Sequence, residues 1–405
     1  MAQSEQTPPR RMAATVDRRL QAAQRRPQAV PAMRGGGGAP GWVGRGPRLD
    51  DPLGLRNPVR VPRLGPSNRY LPWYLALAVF LIAWPFITGD FFTFQIGAYA
   101  LVLGTLSLSL MFLAGYGGMV SLAQMTVAGM AGYMLSIFGE SNMGLGLDWW
   151  LALPIGILVA TAFATLVGLL SVRTEGIYTI MITLAIGTAF FYFARQNYEI
   201  FNGFNGFAQV APPALFGVDW RSPVAFYFLA LGVAVLAFCA VLYVARSTFG
   251  LSMQAIRDNP RRMAALGFNV TAHRVAAYAL AGVLAALAGV LLVWFNGRIS
   301  PGSVDVQRII NVLVIAVIGG LRHPIGPFLG AIVFVLLENF AIDLIDRERF
   351  NLVIGGAFLL IVFFSPDGLL GLWDRARELL SRPRDALQQR RTVRERDPVP
   401  RRYDQ

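Results

Sequence analysis

From Tyr70 onward, long apolar runs alternate with short polar or glycine-containing breaks. Each run lies near the ~20 residues that a helix needs to cross a hydrocarbon layer about 30 Å thick. The runs cover 70–87, 91–114, 119–138, 150–171, 176–194, 224–245, 275–296, 308–321, 324–345 and 351–364. They predict an all-α polytopic membrane protein with about ten transmembrane helices. The runs 308–321 and 351–364 are short for full crossings, which leaves eight or nine as alternatives. Glycine recurs inside the runs, as at Gly115, Gly117, Gly118, Gly129 and Gly132, and small residues let helix backbones approach closely in lipid. Gly326 and Gly330 have GxxxG spacing, a weak dimerisation signal on its own.

The pattern stops at both ends. Residues 1–69 combine Arg, Pro and Gln with the glycine run Gly35 to Gly38 and hold too few large apolar residues to build a core, so they read as a disordered tail. Their acids and their shortage of Ser argue against an organellar transit peptide, and no apolar signal core follows Arg10-Arg11. Residues 373–405 form a second basic tail, leaving 70–372 as the membrane domain.

Charge refines this division. The formal net charge is +13, and a basic excess invites a nucleic-acid reading until its distribution is considered. Residues 1–70 hold 13 Arg against 4 acids, residues 374–405 hold 10 against 6, and the loop from Arg246 to Arg274 holds 5 against Asp258 alone. The basic charge therefore sits beside apolar spans rather than on a folded domain, which points to a bilayer and away from nucleic acid. By the positive-inside bias both termini and the 246–274 loop are expected in the cytoplasm, with Arg195 to Pro223 outside. Trp149, Trp150 and Trp294 fall near span ends, where amphipathic rings prefer to lie.

Little in the chain resembles catalytic chemistry. Lysine is absent, so there is no Walker lysine, and neither HExxH nor G-x-S-x-G occurs. Any ATP hydrolysis must belong to another chain. Cys239 is the sole cysteine and reads as a small buried hydrophobe. His273 and His323 each stand beside an Arg at a predicted helix end, with no cluster of ligands around them, and no cofactor is expected.

Polar residues inside the spans carry more information. Glu338, beside Asn339, lies within a run where an ionisable group is costly, so it faces the bundle, a water-filled path or the nearby interface. Ser121, Gln124, Thr126, Thr179 and Thr183 either line a path for a zwitterion or bond backbone carbonyls within the bundle. Glu175 near Arg173 reads as a local pair, with a coupling role as the alternative.

The 246–274 loop reads as two short helices. Asn259 suits an N-cap, Pro260 the first helical position, and Gly267 the left-handed residue that ends a helix. Leu251, Ile256, Met263 and Leu266 among Arg side chains suggest a docking surface for a soluble partner; a loop that merely fixes orientation is the alternative.

This loop resembles the "EAA" coupling segment of ABC-importer permeases, in the form used by the branched-chain amino-acid permease family of LivM type. The similarity extends to Gly115-Tyr-Gly-Gly-Met-Val-Ser121-Leu-Ala-Gln124, Arg173-Thr-Glu-Gly176-Ile-Tyr178, Asn202-Gly203-Phe-Asn205-Gly206, and Ile318-Gly319-Gly320-Leu321 with Gly326-Pro327. The blocks keep the family's order across residues 90–370. Two positions depart from it: Ala264 stands where the EAA acid belongs, and Gln124 where relatives often carry His.

The resemblance implies a permease bundle in the inner (plasma) membrane, partnered by a second permease, two ATP-binding subunits and an extracytoplasmic substrate-binding protein. It implies ATPase coupling through Arg257, Asp258, Asn259, Pro260, Ala264, Leu266 and Gly267. A substrate path is expected among Ser121, Gln124, Thr126, Thr179, Thr183, Asn205 and Glu338. Substrates of the family include branched-chain and other amino acids, urea and short amides. A sugar permease of a related ABC family and an ion-driven secondary transporter remain alternatives; the latter is expected to place several acids or broken helices at the midplane.

Overall fold

A computed structural model describes residues 71–344, except 175, 214–216 and 218, together with isolated positions between 355 and 371. Both tails, Glu175 and most of the 351–364 run lie outside the described residues. The chain divides into two units at Pro72, and the bundle described below belongs to the unit Trp73–Gln405 apart from the first two residues of its first helix.

In chain order the helices are α1 (Leu71–Ile87), α2 (Phe92–Tyr116), α3 (Gln124–Phe138), α4 (Trp149–Ser171), α5 (Ile177–Gln196) and α6 (Pro223–Arg246). There follow α7 (Thr248–Asp258), α8 (Pro260–Ala265), α9 (Val270–Asn296), α10 (Val306–Gly319) and α11 (Gly326–Leu344). Among the described residues, α2, α4, α5, α6, α9 and the run Pro301–Gly319 are long and apolar enough to cross a membrane. The last of these explains the short 308–321 run: a 3-10 turn at Pro301–Val304 leads through Asp305, whose Oδ1 accepts from Arg308 N at 2.8 Å, into α10. The helix boundaries otherwise fall close to the apolar runs, α4 at 149 against an expected 150 and α6 at 223–246 against 224–245.

Burial sorts the helices into two layers. In α2, 83% of the most apolar window is buried and in α9 67%, whereas α4, α5 and α6 each bury 28%. The first two therefore form the centre, packed with α3, and the other three turn apolar faces outward. Leu158, Leu166 and Leu169 of α4 and Val235, Leu236 and Tyr243 of α6 are exposed, a surface that suits lipid rather than water. Cys239 corrects the expectation of a buried residue, because it lies on the same outward stripe of α6. A small apolar side chain fits that surface as well as a core.

Glycines set the central spacing. A Cβ at Gly129 would strike Val304, one at Gly132 Val293, and one at Gly289 the backbone of Ala128. Gly326 and Gly330 approach Gly319, Gly320 and Ile315, so their GxxxG spacing serves the α10–α11 contact within this chain.

The bundle has two distinct ends. The loop end carries α7, α8 and the turn near Leu321, whose carbonyl lies against Gly115. The ribbon end carries β1 (Phe207–Ala208) paired antiparallel with β2 (Arg298–Ile299). Asn142 joins this ribbon by donating to Ala208 O at 3.2 Å and accepting from Ala208 N at 3.1 Å. Phe201 and Phe207 anchor the long 197–222 connection on buried Tyr133 of α3, at centroid distances of 5.1 and 6.4 Å.

Candidate functional site

The third apolar run does not form one helix. α2 ends in wide π turns at Phe112–Tyr116, Gly118 reverses the chain at φ +68°, and residues 118–123 are non-helical. The expected start at 119 is thus corrected to Gln124. Ser121, Leu122, Ala123 and Gln124 are nevertheless buried. Irregular backbone at membrane depth persists only inside protein or along a cavity, because its polar groups need partners. Thr183 supplies one: its Oγ1 accepts from Leu122 N at 3.0 Å while donating to Thr179 O at 2.9 Å. Thr183 lies about 9 Å along α5 at 1.5 Å per residue, well inside the bundle.

Five candidate residues meet at this break. Ser121 Oγ accepts from Ala123 N at 3.3 Å, and Gln124 Oε1 accepts from Ser109 Oγ of α2 at 3.1 Å. Thr126 Oγ1, in the uncapped first turn of α3, is buried without a hydrogen-bond partner and faces Gly187 of α5. With Thr179 and Thr183 they form a polar seam between α2, α3 and α5. Asn205 is not part of it: it is exposed at the ribbon end, in a turn closed by Asn202 Nδ2 donating to Gly206 O at 2.6 Å.

The seam makes a specific stability prediction. Thr183→Val keeps the shape but strands the Leu122 amide, a loss of about 1–3 kcal/mol. Thr188→Val is the control, since its hydroxyl bonds only Leu184 O within the same helix. In thermal melts of purified protein the first variant should be clearly destabilised and the second nearly neutral; equal shifts would show that the Leu122 contact is immaterial.

At the loop end, local chemistry builds a helical hairpin. Asn259 Oδ1 accepts from Arg262 N at 2.9 Å, Pro260 opens α8, and Gly267 adopts φ +91°. Gly267 N then donates to Ala264 O at 3.0 Å and Phe268 N to Met263 O at 3.1 Å, the paired bonds of a left-handed helix stop. Met253, Ile256 and Met263 are buried against the bundle. Arg257 Nη1 donates to Gly115 O, and Nη2 pairs with Asp258 Oδ1 at 3.0 Å. Leu251, Leu266 and Phe268 face outward, Leu266 at 67% exposure, beside Arg261 and Arg262. The exposed set expected from four residues is therefore corrected: Ile256 and Met263 are buried beneath the hairpin, and only Leu251 and Leu266 of the four are exposed. Ala264 is exposed, so no carboxylate stands at that position. His273 stacks on Phe249 at 5.7 Å with its Nδ1 2.9 Å from Asn269 O, a structural role.

A cavity of about 300 Å³ opens at the ribbon end. Exposed Arg298, Gly302 and Arg308 line its mouth, and buried Met125 and Leu292 its floor. A tighter lobe of about 20 Å³ shares Met125, Leu292 and Arg308 and reaches Tyr99, Asn311 and Glu338. Tyr99, Arg308 and Glu338 line this lobe together, and Glu338 Oε2 is buried with no hydrogen-bond partner. Sequence reasoning missed Arg308, because a basic residue at the start of an apolar run reads as an end anchor.

A family profile described as "Branched-chain amino acid transport system / permease component" matches residues 92–363. The chain is 28% identical over 326 residues to the high-affinity branched-chain amino acid transport system permease protein LivM of Salmonella typhimurium, covering 73% of this chain and 74% of that protein. The Escherichia coli LivM protein matches to the same extent. The nucleoside ABC transporter permease protein NupC of Lactococcus lactis is 27% identical over 242 residues, covering 56% of this chain and 74% of that protein. No solved structure matches the chain significantly.

Proposed function

Because the chain belongs to the family of branched-chain amino acid transport permease components, we propose that it forms half of the pathway of an ATP-driven importer of branched-chain amino acids. A second permease supplies the other half, two separate ATP-binding subunits drive it, and an extracytoplasmic binding protein delivers the substrate. The observation that carries this reading is the hairpin of α7 and α8. Its outer face offers Leu251, Leu266 and Phe268 to a partner, while its underside is tied to the bundle through Met253, Ile256 and Arg257. A push on that face reaches Gly115, and from there the non-helical 118–123 segment and the polar seam. Coupling thus needs no carboxylate at position 264.

In this reading the loop end and both tails are cytoplasmic, in the inner membrane, and the ribbon end receives the binding protein. In a Cys239→Ala background, Asn205→Cys should react with a membrane-impermeant thiol reagent added to intact cells, and Arg261→Cys only after permeabilisation. Reversed labelling would overturn the orientation. The function itself is tested by co-purifying the chain with its genomic neighbours and reconstituting them in vesicles. Loaded binding protein should stimulate ATP hydrolysis and ATP-dependent leucine, isoleucine or valine uptake, and neither activity should survive omission of the ATP-binding subunits.

A further inference from the structure

The ribbon-end cavity has a composition that lipid-facing or purely structural space does not require. Its mouth carries Arg298 and Arg308, both exposed, and its floor is apolar, from Met125 and Leu292. A volume of about 300 Å³ lies at the lower edge of the usual range for small-molecule sites. Beneath the mouth stands Glu338, whose Oε2 is buried without a donor. Buried polar atoms are normally satisfied, and an ionisable side chain inside a membrane span is costly, so this one calls for a partner that arrives from elsewhere.

The two charges ask for complementary groups on one ligand. A guanidinium offers a planar set of donors that suits a carboxylate, and a carboxylate accepts from an ammonium. Tyr99 lines the lobe beside Arg308, and its ring is held in place by stacking on Phe295 at 5.0 Å. The apolar floor, with Leu103 and Val312 in the tighter lobe, suits a branched aliphatic side chain. Met125 lies one residue beyond Gln124, so the cavity reaches the first turn of α3, where the broken segment ends.

We propose that this cavity is where a zwitterionic α-amino acid first binds the permease, its carboxylate held by Arg308 and its ammonium by Glu338. The assignment rests on the importer reading and adds the residues that recognise the substrate's charges. It also separates the chain from a nucleoside carrier, since a neutral nucleoside offers neither group to this pair.

Charge neutralisation tests it in the reconstituted complex. Arg308→Gln and Glu338→Gln should each lower amino-acid uptake by about tenfold or more, the scale expected when a charged hydrogen bond is lost. Assembly and stimulation of ATP hydrolysis by loaded binding protein should persist. The double variant decides between binding and structure. Were the pair only a structural one, removing both charges would relieve the stranded partner and restore uptake; a site for a zwitterion loses at least as much in the double variant as in either single one. Restored uptake in the double variant, or undiminished uptake in both single variants, overturns the proposal.

A second measurement leaves both charges in place, in case the variants fail to assemble. With Cys239→Ala and Asn311→Cys, reaction with a small neutral thiol reagent should be slowed by leucine, but not by leucinamide or 4-methylpentanoate, which each lack one charge. Equal protection by all three, or by none, refutes the assignment. A wild-type complex that transports no amino acid would instead refute the importer reading.

Discussion

Replacing Gly289 with valine should leave the chain unable to hold its central helix pair together. A Cβ at this position in α9 would meet the carbonyl oxygen, carbonyl carbon and Cα of Ala128 in α3 closer than real Cβ atoms approach any atom. The obstacle is backbone, so no rotamer change relieves it; the helices must separate. Separation also opens the neighbouring contact of Gly132 on Val293, in the same helix as Gly289. In lipid there is no hydrophobic drive to restore these contacts, because the tails are as apolar as the side chains. We expect a loss of about 3 kcal/mol, the top of the usual range for overpacking, against a total stability of roughly 5–15 kcal/mol. Gly232→Ala is the control, since nothing lies within 4 Å of its added methyl. Thermal melts and size-exclusion profiles of the purified variants should show Gly289→Val melting early or aggregating, with Gly232→Ala unchanged. A Gly289→Val protein as stable as the control would mean that α3 and α9 do not touch at Gly289 and Ala128.

Features fixed by neighbouring residues were legible in the sequence. The extent of α4 and α6 follows from apolar run length, and the start and stop of α8 follow from Asn259, Pro260 and Gly267, each acting within a few residues. Features fixed by distant residues were not. The composition stays largely apolar from Met119 to Ala123, with Ser121 the one polar side chain, yet the helix begins only at Gln124, where Thr183, about sixty residues away, satisfies the Leu122 amide. Likewise Ile256 and Met263 read as candidates for an exposed face until the bundle beneath them is known. Glu338 was singled out by its cost in an apolar run. Its relation to Arg308 depends on α10 and α11 packing side by side, which neither run specifies. Ser121, Gln124, Thr126, Thr179 and Thr183 are legible as polar positions in apolar runs, but their arrangement as a seam around a broken helix depends on the fold.

The outer face of the hairpin carries the second large effect. Leu266 is 67% exposed, and a Cβ added at Gly267 would meet nothing within 4 Å, so neither position bears on the packing of the bundle. Leu266→Asp places a charge where an apolar anchor is expected to enter an ATP-binding subunit. Loss of such an anchor costs about 2 kcal/mol or more, roughly a 30-fold weakening of docking. Gly267→Val acts differently, through the backbone: a β-branched residue at positive φ is strained by about 1–3 kcal/mol. The helix stop made by the Gly267 and Phe268 amides then opens, and the face carrying Leu266 loses its fixed direction. Both variants should reach the membrane and assemble with the second permease. Both should lose co-purification of the ATP-binding subunits, or the stimulation of ATP hydrolysis by loaded binding protein. Normal ATP-driven uptake by both variants would remove the coupling role from this hairpin. Ion-driven uptake by this chain alone, in ATP-free vesicles, would remove the importer reading with it.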